Sequence, residues 1–196
     1  MELPDLAAFL ILQMEALEKL AGRLGKEMEA QNWKMRSDRM LQDMLAHCFE
    51  KERPCCLISG SHEAVEAQCL ILYLPLLLGE RLPKGVRDSM IRGLTQSGLQ
   101  TPWGFATEAT DSGFYDSDGY WRGPIWAPPT LFLAEGLKAC GEEALAAETA
   151  ERFCRMAKNS GYAEKYDAVT GMGLRDRAYT WTASIFMILA AEYLEG

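Results

Sequence analysis

The sequence predicts an all-α chain of about seven helices paired into hairpins, in the manner of α-solenoids and closed α/α toroids. Three observations carry this. Apolar residues recur at spacings of three and four through almost the whole chain. No run of alternating apolar and polar residues is long enough to read as a strand. The connections between helices alternate between short and long, as they do in an up-down array of hairpins.

The first helix covers residues 4 to 24, with Leu6, Phe9, Leu10, Gln13, Met14, Leu17, Leu20 and Leu24 on one stripe, and Gly25 stops it. A second runs from about Glu27 to Cys48, with Trp33, Met40, Leu41, Met44 and Leu45 on one face. A third is expected over roughly His62 to Leu78; it is apolar nearly all round, so it should be buried, and Pro75 kinks it. The fourth, from about Pro83 to Gln96, and the fifth, from about Pro128 to Cys140, both begin on proline, which suits the first helical turn. The sixth, from about Glu142 to Lys158, opens on two acids that favour a helix N-terminus. The seventh, from about Thr182 to Leu194, is almost wholly apolar.

Short joints follow the first, third and fifth helices. Long connections follow the second, fourth and sixth, at about 49–61, 97–127 and 160–181. The odd helices begin roughly 60 residues apart, which marks a repeat of helix pairs. Every second connection of such an array lies at the same end, so all three long loops are expected on one face. Loops of this length in a compact domain carry function.

Composition narrows that function. The chain has 196 residues and a net charge of −8, with 48% apolar residues. The acidic balance argues against nucleic-acid binding, which needs basic patches. The longest apolar run, "CLILYLPLLLG" at 69–79, is too short to span a bilayer and contains a proline. No basic residue precedes the first apolar run, so the start does not read as a signal peptide. Six cysteines are scattered without a CxxC spacing, and the two histidines are His47 and His62. The expectation is a cytoplasmic, reduced protein with no metal and no cofactor.

The loop at 97–127 carries Trp103, Phe105, Tyr115, Tyr120, Trp121 and Trp126, with Glu108, Asp111, Asp116, Asp118 and Arg122 among them. The loop at 160–181 carries Glu164, Tyr166, Asp167, Asp176, Arg177, Tyr179 and Trp181. Rings interleaved with carboxylates suit carbohydrate: aromatic faces stack on sugar C–H faces and acids bind hydroxyls. Paired carboxylates also supply the acid and base of glycoside hydrolysis. The same composition equally fits rings that fill a helix-end core and acids that form turns, as "DSDG" and "YDAVTG" do. "DSDG" lacks the spacing of an EF-hand calcium loop.

"YWRGPIW" at 120–126, "GLKACG", and "GYAEKYDAVTGMGLRDRAYTWTASIFMIL" together resemble the C-terminal half of glycoside hydrolase family 63 and its relatives. Those relatives include the processing α-glucosidases, the mannosylglycerate and glucosylglycerate hydrolases and, more distantly, the trehalases and debranching glucosidases. "LPDLAAFLILQMEALEKLAGRLGKEMEAQNW" is similar to the family's helix after its central loop, so the resemblance covers nearly the whole chain. It implies a six-hairpin glycosidase-like (α/α)6 toroid, of which residues 1–196 would form a single half-barrel domain. It implies Glu164 as the general base and Tyr120, Trp121, Arg122 and Trp126 as sugar-subsite residues. Trp103, Tyr166 and Trp181 join them as substrate-binding candidates. The family's general acid, an aspartate before the first helix seen here, finds no match in this sequence; Asp111, Asp116 and Asp118 are the local substitutes. A half-barrel would expose an apolar wall, and a homodimer covering it is the expected remedy.

Two alternatives share the expected loop face. Cys55 or Cys56, His62 and Glu164 would form a nucleophilic ester or phosphoester hydrolase, in which a thiolate attacks and histidine acts as base. Alternatively, the chain is a carbohydrate-binding remnant without turnover.

Overall fold

A computed structural model describes residues 1–194. These residues form two compact units, Met1–Ala67 and a second that begins at Gln68. Six α-helices and one 3-10 helix dominate, so the class is all-α as the periodicity predicts.

The first unit is built on α1 (Pro4–Arg23) and α2 (Glu27–His47). Gly25, at φ +70°, makes the tight joint between them, a conformation glycine reaches without a Cβ clash. The stripe Pro4, Ala8, Ile11 and Met14 of α1 is buried, as are Ala30, Ser37 and Met44 of α2. After α2 the chain makes two small hairpins: β1 (Phe49–Glu50) with β2 (Arg53–Pro54), then β3 (Cys56–Leu57) with β4 (Ala64–Val65).

This corrects the third helix. His62 does not open a helix; it lies in the turn between β3 and β4 at φ +59°, and helix begins only at Leu70. The segment Leu70–Arg81 is a 3-10 helix rather than α. Pro75 supplies no N–H for an α-helical ladder, and Gly79 breaks the run at φ +52°. Its burial was predicted correctly: Leu70, Leu72, Leu74, Leu76 and Leu78 are all buried. The absence of strands also needs amending. Among the described residues two-residue strands occur in four antiparallel pairs, too short for a period of two to show in sequence.

In the second unit, α3 (Lys84–Gln96) leads through β5 (Gln100–Thr101) and β6 (Gly104–Phe105) into the long loop before α4 (Ala127–Ala139). α5 (Glu143–Ser160) follows; then come β7 (Lys165–Tyr166), β8 (Gly173–Leu174) and α6 (Thr180–Tyr193). α4 packs against the 3-10 helix, α5 and α6. Gly136 makes the first of these contacts close: a Cβ there would sit 2.9 Å from the backbone of Leu76 and Leu77. The core of this unit gathers Ile125, Ala134, Ala150, Phe153, Met156, Tyr166 and Leu189. α6 buries one stripe, Thr182, Ile185 and Leu189, and leaves Met187 63% exposed. Among the described residues no helix is long and apolar enough to cross a membrane.

Candidate functional site

The two long loops of the second unit are sewn together by backbone. Ile125 and Tyr166 exchange N–H···O bonds of 2.8 and 2.9 Å in an isolated bridge. Trp103 reaches across with its indole N–H to the carbonyl of Val169 at 3.1 Å. The "YWRGPIW" turn and the "AEKYD" strand therefore share one edge. The third long connection, 49–61, belongs to the first unit.

The turn has a local cause. Tyr120 adopts φ +58°. The Trp126 indole N–H donates to the Tyr120 carbonyl at 2.8 Å, closing the turn. Thr107 clamps the far side: its hydroxyl donates to the Pro124 carbonyl at 2.9 Å and accepts from the Gly123 N–H at 3.1 Å. Gly123 has no room for a Cβ, which would lie 2.9 Å from the Tyr115 ring. The sequence reading did not single out Thr107, and a lone threonine in a polar loop carries no signal for such a role.

Around this turn four rings cluster. Trp126 is 1% exposed and stacks on Trp121 at 4.4 Å and 21°. Tyr120 and Trp181 meet Trp126 edge-on at 5.1 and 5.7 Å, arrangements that aromatic quadrupoles favour. Trp121, by contrast, is 43% exposed, and Tyr120 and Trp181 are exposed as well. A buried indole thus carries a second whose outer face is open. Arg122 stands beside it, exposed, with its guanidinium 3.4 Å from the Asp116 carboxylate.

Lys165 is the feature the sequence did not reveal. It is almost fully buried, with its ammonium over the Tyr120 ring at 5.6 Å and the Trp126 ring at 5.8 Å. It donates to the carbonyl of Asp118 and pairs with its carboxylate, both at 2.9 Å. Arg175 binds the same carboxylate. The hydrogen bond from Lys165 holds the Asp118 carboxyl below the usual carboxylate range, and the charges of Lys165 and Arg175 add to this. A carboxyl so held is unsuited to protonating a leaving group. In the sequence Lys165 is only a spacer between Glu164 and Tyr166, and nothing in its spacing marks a buried cation.

Glu164 is half-buried, and its backbone N–H donates to the Asp176 carbonyl at 2.7 Å. Its side chain makes no hydrogen bond or ion pair among the described residues, which leaves the carboxylate uncommitted one residue from Lys165.

The other candidates divide. Trp103 lies flat over Gly171, where a Cβ would come within 2.5 Å of the ring, so one of its faces is taken by the chain itself. Tyr166 is fully buried against Phe153 and presents no surface to a ligand. Its hydroxyl donates to the Gly161 carbonyl at 2.7 Å and accepts from the Ala163 N–H at 3.2 Å. Burial pushes this phenol up to about 12. The native pKa thus lies above that of the unfolded chain, so the stabilisation is complete below pH 10 and is lost between pH 10 and 12. Unfolding free energies of Tyr166→Phe from denaturant titrations across that range should show a fall shallower than the parent's by about 2–3 kcal/mol.

In the first unit Cys56 is buried, and burial raises the pKa of both Cys55 and Cys56, the opposite of what a thiolate nucleophile requires. The His62 imidazole is bonded to Glu2 at 2.9 Å. His47 bonds the same Glu2 oxygen at 2.7 Å.

Comparison with known proteins identifies the family and the fold. Residues 1–182 match the mannosylglycerate hydrolase MGH1-like glycoside hydrolase domain. A mannosylglycerate hydrolase of Rubrobacter radiotolerans is 30% identical over 69% of this chain and 31% of its own length. One from Thermus thermophilus is 34% identical over 66% of this chain and 30% of its own. The chain therefore spans about a third of the curated relatives it matches. Among solved structures, a family-63 mannosylglycerate hydrolase of Thermus thermophilus in complex with glucose superposes with a TM-score of 0.77 at 22% identity, covering 93% of this chain and 44% of that one. The neutral trehalase of Saccharomyces cerevisiae gives 0.75 at 15% identity, over 99% of this chain and 38% of that one. The fold is thus that of the all-α toroid-like glycosidases, and by the match over residues 1–182 this chain belongs to the MGH1-like glycoside hydrolase domain family.

Proposed function

We propose that this chain supplies the water-activating base and the sugar-facing aromatic surface of a hydrolase acting on a hexosyl-glycerate such as mannosylglycerate. The observation that carries the proposal is the backbone bridge Ile125–Tyr166. In a chain of this family, it ties the exposed Trp121 and Arg122 to the strand that presents Glu164. The sugar rests on the open face of Trp121, edged by Tyr120 and Trp181. The Arg122 guanidinium, exposed and weakly held, takes the glycerate carboxylate through its fork of donors. Glu164 accepts a proton from water as the oxygen attacks the anomeric carbon, inverting it. In inverting enzymes the acid stands about 6.5–9.5 Å across the bond. That acid is assigned to no residue of this chain: Asp116 contacts Arg122, and Asp118 is locked to Lys165 and Arg175.

The thiol alternative gains no support, since burial raises the pKa of both cysteines and His62 is engaged with Glu2. A carbohydrate-binding role without turnover would use the same surface. The half-barrel form of the chain, its reducing cytoplasmic setting and a homodimer covering the exposed inner helices belong to the same proposal; the six free cysteines fit that setting.

Titrating mannosylglycerate against tryptophan fluorescence tests the binding surface. Saturable change is expected, with Trp121→Ala weakening it at least about tenfold, equivalent to about 1.4 kcal/mol. No saturable response, or one unaltered in Trp121→Ala, would overturn the assignment.

A further inference from the structure

The two histidines of this chain are 15 positions apart in the sequence, and neither lies in a metal-binding spacing. The fold of the first unit nevertheless brings both to one carboxylate oxygen. His47 Nε2 lies 2.7 Å and His62 Nδ1 2.9 Å from Glu2 Oε2, and the three ligand atoms all lie within 4.8 Å of one another. The imidazole planes meet at 77° with centroids 5.1 Å apart, so the two rings approach the oxygen from different directions.

Each group is held by a different piece of backbone. Glu2 is fixed by paired bonds to Leu57 of β3, with N–H···O distances of 2.8 and 3.0 Å. His47 is the last residue of α2. His62 occupies the β3–β4 turn, where its N–H bonds the Ile58 carbonyl at 2.9 Å. Its left-handed φ of +59° is uncommon for a residue with a Cβ, and such strain collects at functional positions. Hydrogen bonds from His47 and then His62 lower the Glu2 pKa, which keeps the carboxylate ionised.

We propose that Glu2, His47 and His62 form a zinc site, with two imidazole nitrogens and one carboxylate oxygen as ligands and the fourth position open to water. Two histidines and a glutamate are a ligand set that zinc accepts. Bonds of about 2.0–2.2 Å in a tetrahedral site put neighbouring ligand atoms about 3.3 Å apart. The two N···O separations need open by only about half an ångström to reach this, and the two imidazole nitrogens, which lie within 4.8 Å of each other, come to the same spacing. The side chains are free to make that adjustment, being 45% (His47), 58% (His62) and 26% (Glu2) exposed. Neutral imidazoles would carry their proton on the outward nitrogen and turn a lone pair to the ion. The bound ion would pin residue 2 to the end of α2 and to the β3–β4 hairpin.

The test is calorimetric titration of zinc chloride alone into the untagged, chelator-stripped full chain. One zinc per chain is expected, with affinity at least about tenfold weaker in His47→Gln and in His62→Gln, and weaker too in Glu2→Gln. All three side chains lie on the surface, and circular dichroism of each variant should match the parent. The six free cysteines are the competing ligands, so cobalt substitution decides between them. The expected spectrum lacks a sulfur-to-cobalt charge-transfer band. Absence of saturable zinc binding, affinity unchanged in both histidine variants, or a strong sulfur band would each overturn the site.

Discussion

Glu164→Gln is expected to lower hydrolysis by about 10²–10⁴-fold, the range associated with losing a positioned general base, while the fold remains that of the parent. The substrate for this measurement matters. A glycosyl fluoride such as mannosyl fluoride releases its leaving group without needing a proton, so its hydrolysis reports the base and is blind to the acid. The amide keeps the size and hydrogen-bonding capacity of the carboxylate but cannot take a proton from water. The side chain of Glu164 has no partner among the described residues, so its exchange strands no buried cation. The Glu164 N–H bond to the Asp176 carbonyl, at 2.7 Å, is unaffected by the side chain. Fluoride release at an undiminished rate in Glu164→Gln would remove the base from Glu164. No fluoride release by the parent chain would count against turnover itself and leave binding as the function.

Trp126→Ala is expected to destabilise the second unit by about 3–5 kcal/mol, the usual cost of deleting a buried tryptophan. Trp126 is 1% exposed and holds Trp121, Tyr120 and Trp181 around it. Its indole N–H also closes the Tyr120 turn. Trp121→Ala should cost far less, since that ring is 43% exposed. Urea denaturation of the two variants side by side therefore separates the supporting indole from the sugar-facing one. Equal losses would mean that the stack does not divide its roles in this way. The pair also bears on interpretation of any binding defect: weaker binding in Trp126→Ala follows from collapse of the platform, whereas in Trp121→Ala it follows from a missing contact.

Much of the helical order was legible without coordinates. α1, α2, α3, α4 and α5 begin and end within a residue or two of their predicted bounds, because Gly25, Pro83, Pro128 and the acids at 142–143 punctuate them locally. The exception is Leu70–Arg81. An all-round apolar segment loses the periodicity that distinguishes helix types, so Pro75 and Gly79 decided its geometry. His62 was misplaced for a related reason: it stands next to an apolar run, but Gly60 and its own left-handed φ put it in a turn.

Taken alone, the sequence determined the all-α class, the positions of the long connections along the chain and the motifs whose resemblance pointed to a glycosidase family. Those are consequences of local propensity and of residue identity, which act over a few positions along the chain. Only the tertiary structure decided which rings are open. It buried Tyr166 and Trp126, turned Trp121 outward, drew Lys165 beneath the aromatic cluster onto Asp118, and brought His47 and His62 to Glu2. Exposure and charge pairing depend on what packs against a residue from distant parts of the chain, and no spacing along one sequence encodes that.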